Sequence, residues 1–421
     1  MLGPGCALPF TSGPHKATHF TMRDRSYFLP PFGNERAKRN NATQHSNSLR
    51  FGRHPSLSPH WAVTRVNDSV RVGLQDLPFG VFTEYAMTNT PESQRLLVLT
   101  STEIKLLLPM TECIELMSET LKDLSRGDLM QPLRMVVRPP EALGVMAMMP
   151  AYRRGPESVF GLKAMCFFHG NPAFGKDAHQ GCVLLSSGDT GEPLAIMNAS
   201  AITEIRTAAV SAVATRLLSR ENASELAIVG SGIQARAHLV ALSTVRPIKR
   251  VRVFSPNHEH PKQLAEEMRT QFDFPIEPAV TAQLALKDAD LIVTATSARQ
   301  PVIERQWVSS GAHINAIGTY SPQSRELDGA TMAAARIFVD RRESALNESG
   351  DYLLAVKEGL ITLESLLAEI GEVLLGEKPG RTSENDITLF KSLGLAVEDM
   401  ACAEYLFAKA KTENVGTWIR F

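Results

Sequence analysis

The chain has 421 residues, 43% of them apolar and 21% charged, with a formal net charge of −1; it is long enough for two or three domains, and its balanced charge excludes an overall basic field for nucleic acid. The cysteines Cys6, Cys113, Cys166, Cys182 and Cys402 are odd in number and form no Cys-x-x-Cys pair, which argues against a zinc knuckle, a redox dithiol or a disulfide framework. No apolar run approaches the roughly 18 to 20 residues that cross a bilayer, so the expectation is a cytoplasmic protein with a small-molecule partner and neither membrane nor nucleic-acid binding.

Residues 1–90 are rich in Ser, Asn, His, Pro and Arg, with too few apolar residues for a sustained period, the pattern of an unordered extension. An Arg-rich leader also suits an organelle transit peptide, although no convincing amphipathic helix is written in it. Order is expected from Leu96-Leu97-Val98-Leu99, followed by Ser101-Thr102-Glu103-Ile104, where a hydroxyl cap opens an amphipathic helix. A second helix is predicted over 110–125. The stretches 133–149 and 161–187 show short apolar runs broken by Pro, Gly and charged turns, the mark of an antiparallel or mixed sheet. An Ala-rich helix over 200–219 links this part to the next.

From Glu225 the pattern alternates: strand 226–229, helix from 233, strand 251–255, helix 261–271, then strands 291–296, 313–317 and 336–339. Apolar strands separated by helices make an α/β fold with a Rossmann-type, doubly wound parallel sheet, because each crossover must cover a face. After Glu348 the pattern returns to helices, clearest over 351–356 and 389–408, which are expected to pack back on the first part.

The strongest local signal is Leu226-Ala-Ile-Val-Gly230-Ser231-Gly232-Ile233-Gln234-Ala235, an apolar strand running through Gly-x-Gly-x-x-Ala into a helix. Gly230 permits a tight turn, Gly232 lets backbone approach a pyrophosphate, and Ala235 lets the helix lie close on its strand. The helix start then presents free N–H groups to the phosphates, which makes Gly230, Ser231, Gly232, Ile233 and Gln234 the expected dinucleotide cradle. Thr296 and Gly318, at the ends of two later strands, are expected to border the same cofactor. Cofactor choice should be written after the second strand, where NAD-selective sites place an acid on the ribose 2′-hydroxyl. The chain reads Ser255-Pro256-Asn257-His258 there. Without a carboxylate, and with Ser255, Asn257 and His258 able to donate to a 2′-phosphate, NADP(H) is favoured over NAD(H), although no arginine stands at the spot.

That turn sits between Ile205-Arg206-Thr207-Ala208-Ala209-Val210-Ser211-Ala212 and Ile314-Asn315-Ala316-Ile317-Gly318, and together these blocks resemble the ornithine cyclodeaminase and mu-crystallin family. Further similar blocks are Gly161-Leu162-Lys163, Arg325-Glu326-Leu327-Asp328, Glu348-Ser349-Gly350-Asp351 and Phe390 to Asp399, so the resemblance runs colinearly from about 95 to 410. It implies a homodimer in which a Rossmann domain over 208–340 is inserted into an α+β substrate and dimerisation domain built from 91–207 and 341–421. It also implies that Arg134, Lys163 and Arg206 surround a substrate carboxylate, which suits the two-pronged way a guanidinium binds one. Arg138 is a nearby competitor for the role of Arg134.

One position departs from the cyclodeaminases, which carry an aspartate where Ala316-Ile-Gly-Thr-Tyr320-Ser-Pro322 has tyrosine. Cyclodeamination needs a carboxylate to manage protons and water, and a phenol of unperturbed pKa about 10 replaces it poorly. Reduction of a protonated imine asks only for hydride, and mu-crystallin, similar to ketimine reductases, also lacks that aspartate. Tyr320 is read either as a catalytic residue or as an aromatic at the pocket wall. His179 is read as a surface histidine or as a proton donor. No metal site is expected, since no His, Cys, Asp or Glu spacing suggests one. The expected activity is NAD(P)H-dependent reduction of small, cyclic ketimines or imino acids, or the reverse amino-acid dehydrogenation; the alternatives are ornithine cyclodeamination and non-catalytic binding of a small ligand by a cofactor-loaded protein.

Overall fold

The alternation after Glu225 closes into one all-parallel sheet of eight strands. The computed structural model describes residues 61–66, 69–74 and 95–421. Across the sheet the order is Ile276–Pro278, Arg250–Phe254, Glu225–Val229, Leu291–Thr294, His313–Ala316, Ile387–Lys391, Ala335–Val339 and Leu366–Glu369. From Glu225–Val229 the chain first builds outward on one side, then crosses to Leu291–Thr294 on the other. That reversal is a switch point, and open α/β sheets bind ligands in the crevice beyond the carboxyl ends of the strands at such a point.

A second sheet, also eight-stranded, runs Thr417–Arg420, Arg95–Leu99, Pro193–Asn198, His179–Ser187, Val159–Phe167, Val145–Arg153 and Leu129–Met130, with Met135–Val137 also on Val145–Arg153. Only Arg95–Leu99 and Pro193–Asn198 pair in parallel; the other neighbours are antiparallel. Along Val159–Phe167 alternate residues are buried, so Lys163 points inward with Val159, Gly161 and Met165. The helix Ala199–Leu218 packs against both sheets and is buried almost all round, as an element sandwiched between two layers must be. Both sheets belong to one compact unit.

Two findings differ from the pattern read along the chain. The helix predicted over 389–408 begins only at Ala396, and Ile387–Lys391 is a strand inside the parallel sheet. Ile-Thr-Leu-Phe-Lys is buried at every position, and a strand covered on both faces loses the period that would distinguish it from a buried helix. Gly394, at φ +76, separates strand from helix. The strands Leu366–Glu369 and Ile387–Lys391 also carry the parallel sheet past residue 340, the boundary placed on the sequence. The segment from Lys391 to Leu395 is therefore a joint between the two layers.

Within the extension, the strands Trp61–Val66 and Ser69–Leu74 pair antiparallel; the rest of the expected unordered region lies outside the described residues. Among the described residues, no helix is long and apolar enough to cross a membrane.

Candidate active site

At the switch point, Glu225–Val229 ends in Gly230 at φ +116. A Cβ on Gly230 would lie 2.3 Å from the Ala295 carbonyl oxygen, so both conformation and space demand glycine. Gly232 caps the helix Ile233–Val245, and a Cβ there would meet nothing within 4 Å. No side chain caps this helix, which leaves its first-turn N–H groups for an anion. Ala235 is fully buried under the turn, while Ile233 is exposed. An uncapped helix start, with open space over Gly232, fits a dinucleotide pyrophosphate.

Not every expected cofactor contact faces the crevice with its side chain. Gln234 turns inward, its Nε2 donating to the Thr203 carbonyl at 3.2 Å. Thr296 gives both its N–H and its hydroxyl to Glu326 Oε1, at 2.8 and 2.7 Å, and Gly318 gives its N–H to Glu326 Oε2 at 2.7 Å. Ser255 is buried at the second strand's end, and Asn257 and His258 are exposed. Asn257 Oδ1 accepts the Glu259 N–H at 3.1 Å, and its Nδ2 donates to His260 Nε2 at 3.1 Å.

Lys163, Arg206 and Arg134 come from the mixed sheet, the long helix and a loop, and meet along the segment 393–399. Lys163 Nζ donates to both carboxylate oxygens of Asp399, at 3.1 and 3.2 Å. Arg206 donates from Nε to Asp399 Oδ1 at 3.0 Å and from Nη1 to Glu398 Oε2 at 2.9 Å. Arg134 donates from Nε to Glu348 Oε1 at 3.0 Å, and from Nη2 to the carbonyls of Leu393 and Gly394 at 2.8 and 3.1 Å. A Cβ on Gly394 would sit 2.7 Å from Arg206 Nη1, so the joint must be glycine for the guanidinium to fit. Asp340 Oδ2 holds that joint by accepting the N–H groups of Leu393 and Gly394, at 2.6 and 2.8 Å.

Each cation therefore arrives already paired with an acid, as buried charge requires. The pairing leaves atoms over. Arg134 Nη1 and Arg206 Nη2 make no hydrogen bond to described residues, and Glu348 Oε2 and Glu398 Oε1 are buried without a partner. Burial, with the charges of Arg206 and Arg134 behind it, brings the Lys163 ammonium down to about 8 against the pull of Asp399. Burial would also lower Arg206, but Asp399 and Glu398 outweigh it and hold the guanidinium charged. Burial lifts the Glu398 carboxyl to about 7, against Arg206 and with Asp340 adding to the rise.

Tyr320 stands between the two halves, its ring 5.6 Å from that of Phe167 and 5.9 Å from the Arg134 guanidinium carbon. Burial raises its phenol, while Arg134 and Arg138 pull it back. His179 pairs edge-on with Phe167 at 4.9 Å, and burial followed by the Lys163 charge lowers its imidazole. His179 opens the strand His179–Ser187 as an exposed residue, its ring packed on Phe167. Arg138 is exposed and makes none of the buried pairs.

The acids Glu348, Glu398, Asp399 and Asp340 were given no role by the sequence pattern. The available signal was composition: Glu398 and Asp399 interrupt Leu393-Gly-Leu-Ala-Val397, an apolar run in which a charge needs a buried partner.

A profile of the ornithine cyclodeaminase/mu-crystallin family matches residues 94–414. A Delta(1)-pyrroline-2-carboxylate reductase of Bacillus cereus is 37% identical over 327 residues, 77% of this chain and 100% of the relative. The ketimine reductase mu-crystallin of Mus musculus is 38% identical over 281 residues, 67% of this chain and 85% of its own. Among solved structures, the Thermococcus litoralis Delta(1)-pyrroline-2-carboxylate reductase in complex with NADH and L-proline superposes with a TM-score of 0.74 at 35% identity, covering 76% of this chain and 99% of that one. An archaeal alanine dehydrogenase dimer with bound NAD gives 0.73 at 33% identity, covering 78% and 99%.

Proposed function

The chain belongs to the ornithine cyclodeaminase/mu-crystallin family, and from that premise we propose that it reduces small cyclic ketimino acids, with the oxidation of a cyclic amino acid as the reverse reaction. It is an NAD(P)-dependent oxidoreductase of C–N bonds. The observation that carries the substrate class is the set of groups left over in the ion-pair cluster. Two guanidinium nitrogens remain for a carboxylate, and two buried carboxylate oxygens remain for an N–H. An imino acid presents that complement.

A bound nicotinamide supplies the hydride. Gly230 to Gln234 would hold its pyrophosphate by backbone, with Gly318 along the same crevice. The protein's own part is orientation. Arg134 and Arg206 would grip the substrate carboxylate from two sides, Lys163 would add charge while protonated, and Tyr320 with Phe167 would wall the ring and exclude water. A cyclic iminium enters already protonated, so no carboxylate is required at position 320. That favours reduction over cyclodeamination.

At the ribose, the absence of an acid from Ser255 to His258 supports NADP(H) over NAD(H). The outer face of the mixed sheet supports a homodimer, since Met130, Met146 and Phe160 are exposed on it beside Met148, Leu162 and Leu184. Apolar sheet faces of this kind mark interfaces.

The test is purified protein with NADPH and Delta(1)-pyrroline-2-carboxylate, followed at the nicotinamide absorbance. Substrate-dependent oxidation is expected. Ammonia released from ornithine would point to cyclodeamination instead, and ligand binding without turnover to a binding protein.

A further inference from the structure

Resting on the reductase reading, we propose that Lys391, Asp351 and Glu326 are positioning residues that set the loop 316–320 at a fixed height between the dinucleotide crevice and the substrate cations. The loop leaves the strand His313–Ala316, so past Ile317 its backbone groups have no ladder to pair with. Buried ionic side chains take that place. Lys391 Nζ donates to the carbonyls of Ala316 and Thr319, at 3.2 and 2.7 Å, and lies 3.2 Å from Asp351 Oδ2. Asp351 accepts the Thr319 hydroxyl at 2.7 Å and the N–H groups of Glu326 and Leu327 at 2.7 and 3.0 Å. Glu326 in turn holds the N–H groups of Gly318 and Thr296, at 2.7 and 2.8 Å, thereby tying the ends of two neighbouring strands together.

All three side chains are at most 1% exposed. Burying an ion pair rarely stabilises a fold more than apolar packing of equal volume would, because desolvation offsets the attraction. What such a network does deliver is a single geometry, since every donor and acceptor must be satisfied at once. The geometry it sets is the one the reaction needs. Gly318 borders the crevice, and two residues on Tyr320 lies against Phe167 and Arg134. Lys391 also begins the joint that leads into the helix carrying Glu398 and Asp399, so consecutive stretches of chain grip the loop 316–320 and the three cations. A shift of one part is then felt by the other, and hydride transfer is sensitive to displacements near 1 Å.

The decisive variant is Thr319→Val, which removes the hydroxyl bridging Asp351 while keeping shape and leaving Lys391 paired with Asp351. The apoprotein is read by hydrogen–deuterium exchange across 316–320 and by its melting temperature. The loaded enzyme is read by NADPH affinity and by single-turnover hydride transfer. Expected are exchange faster by about tenfold in that segment, NADPH affinity nearly unchanged, a melting temperature lower by a few degrees because a buried carboxylate loses a donor, hydride transfer slower by about tenfold or more, and restoration of all three in Thr319→Ser. Unchanged exchange and transfer in Thr319→Val would overturn the proposal. So would losses that merely track a lower melting temperature and are not rescued by serine. If the wild type reduces no imino acid while the exchange difference persists, the reductase reading falls and the positioning of the loop stands.

Discussion

The turn proposed for the dinucleotide and the cluster proposed for the substrate are built by opposite means. The turn is contiguous, from Gly230 to Ala235, and works through backbone N–H groups that need only a φ of +116 and open space. The cluster is assembled from side chains as far apart as Lys163 and Asp399, separated by 236 positions, and every charge in it is compensated. A backbone site is independent of its surroundings and tolerates change beyond its glycines. A side-chain site of buried charges stands or falls as a unit.

The sharpest way to break that contrast is Arg206→Gln. Loss of the guanidinium leaves Glu398 and Asp399 facing each other with Lys163 as the remaining cation, and removing one partner of a buried pair costs about 3–5 kcal/mol. Urea unfolding should show that loss together with abolished turnover. Full stability in this variant would mean the cluster is not a unit. Next in size, Gly232→Ala should weaken NADPH binding by about 10–100-fold, since a methyl enters the pyrophosphate space. Its stability should change by only about 1 kcal/mol, the ordinary cost of alanine at an N-cap. Gly230→Ala should instead fail to fold well, because its Cβ meets the Ala295 carbonyl oxygen. Equal unfolding of both variants would contradict a turn in which only one glycine is structural.

The pH response sharpens the comparison further. Burial brings the Lys163 ammonium down to about 8, and only its protonated form attracts a carboxylate. KM for the imino acid should therefore rise above about 8, approaching tenfold per pH unit, and change again below about 7, where Glu398 takes a proton, while NADPH affinity, proposed to rest on backbone amides, should not follow. Parallel changes in both would place a shared titrating group in the crevice. Tyr320→Phe should have the smallest effect, within about threefold on hydride transfer, because the ring rather than the hydroxyl packs on Phe167. A loss of about a hundredfold would make the phenol a catalytic group.

Much of this was legible along the chain. Periodicity and turn chemistry located the parallel sheet, its first crossover and the dinucleotide turn, because those are local properties of strand, glycine and helix start. The family blocks pointed to Arg134, Lys163 and Arg206 together. Composition did not reveal that Ile387–Lys391 is a central strand, since complete burial erases the alternation that marks a strand. Nor did it indicate that Gln234 and Thr296 turn away from the crevice, because side-chain direction depends on partners such as Thr203 and Glu326.

By itself, then, the order of residues determined the class of fold and the glycine turn, since both follow from short-range sterics and the need to bury apolar faces, while the family resemblance singled out the three cations as candidates. Only the tertiary structure decided how those cations are balanced, which of their nitrogens stay free, and how Lys391, Asp351 and Glu326 hold the loop between the two halves. Those features are electrostatic and close across long stretches of chain, and charge buried in a low-dielectric interior has meaning only once its neighbours are in place.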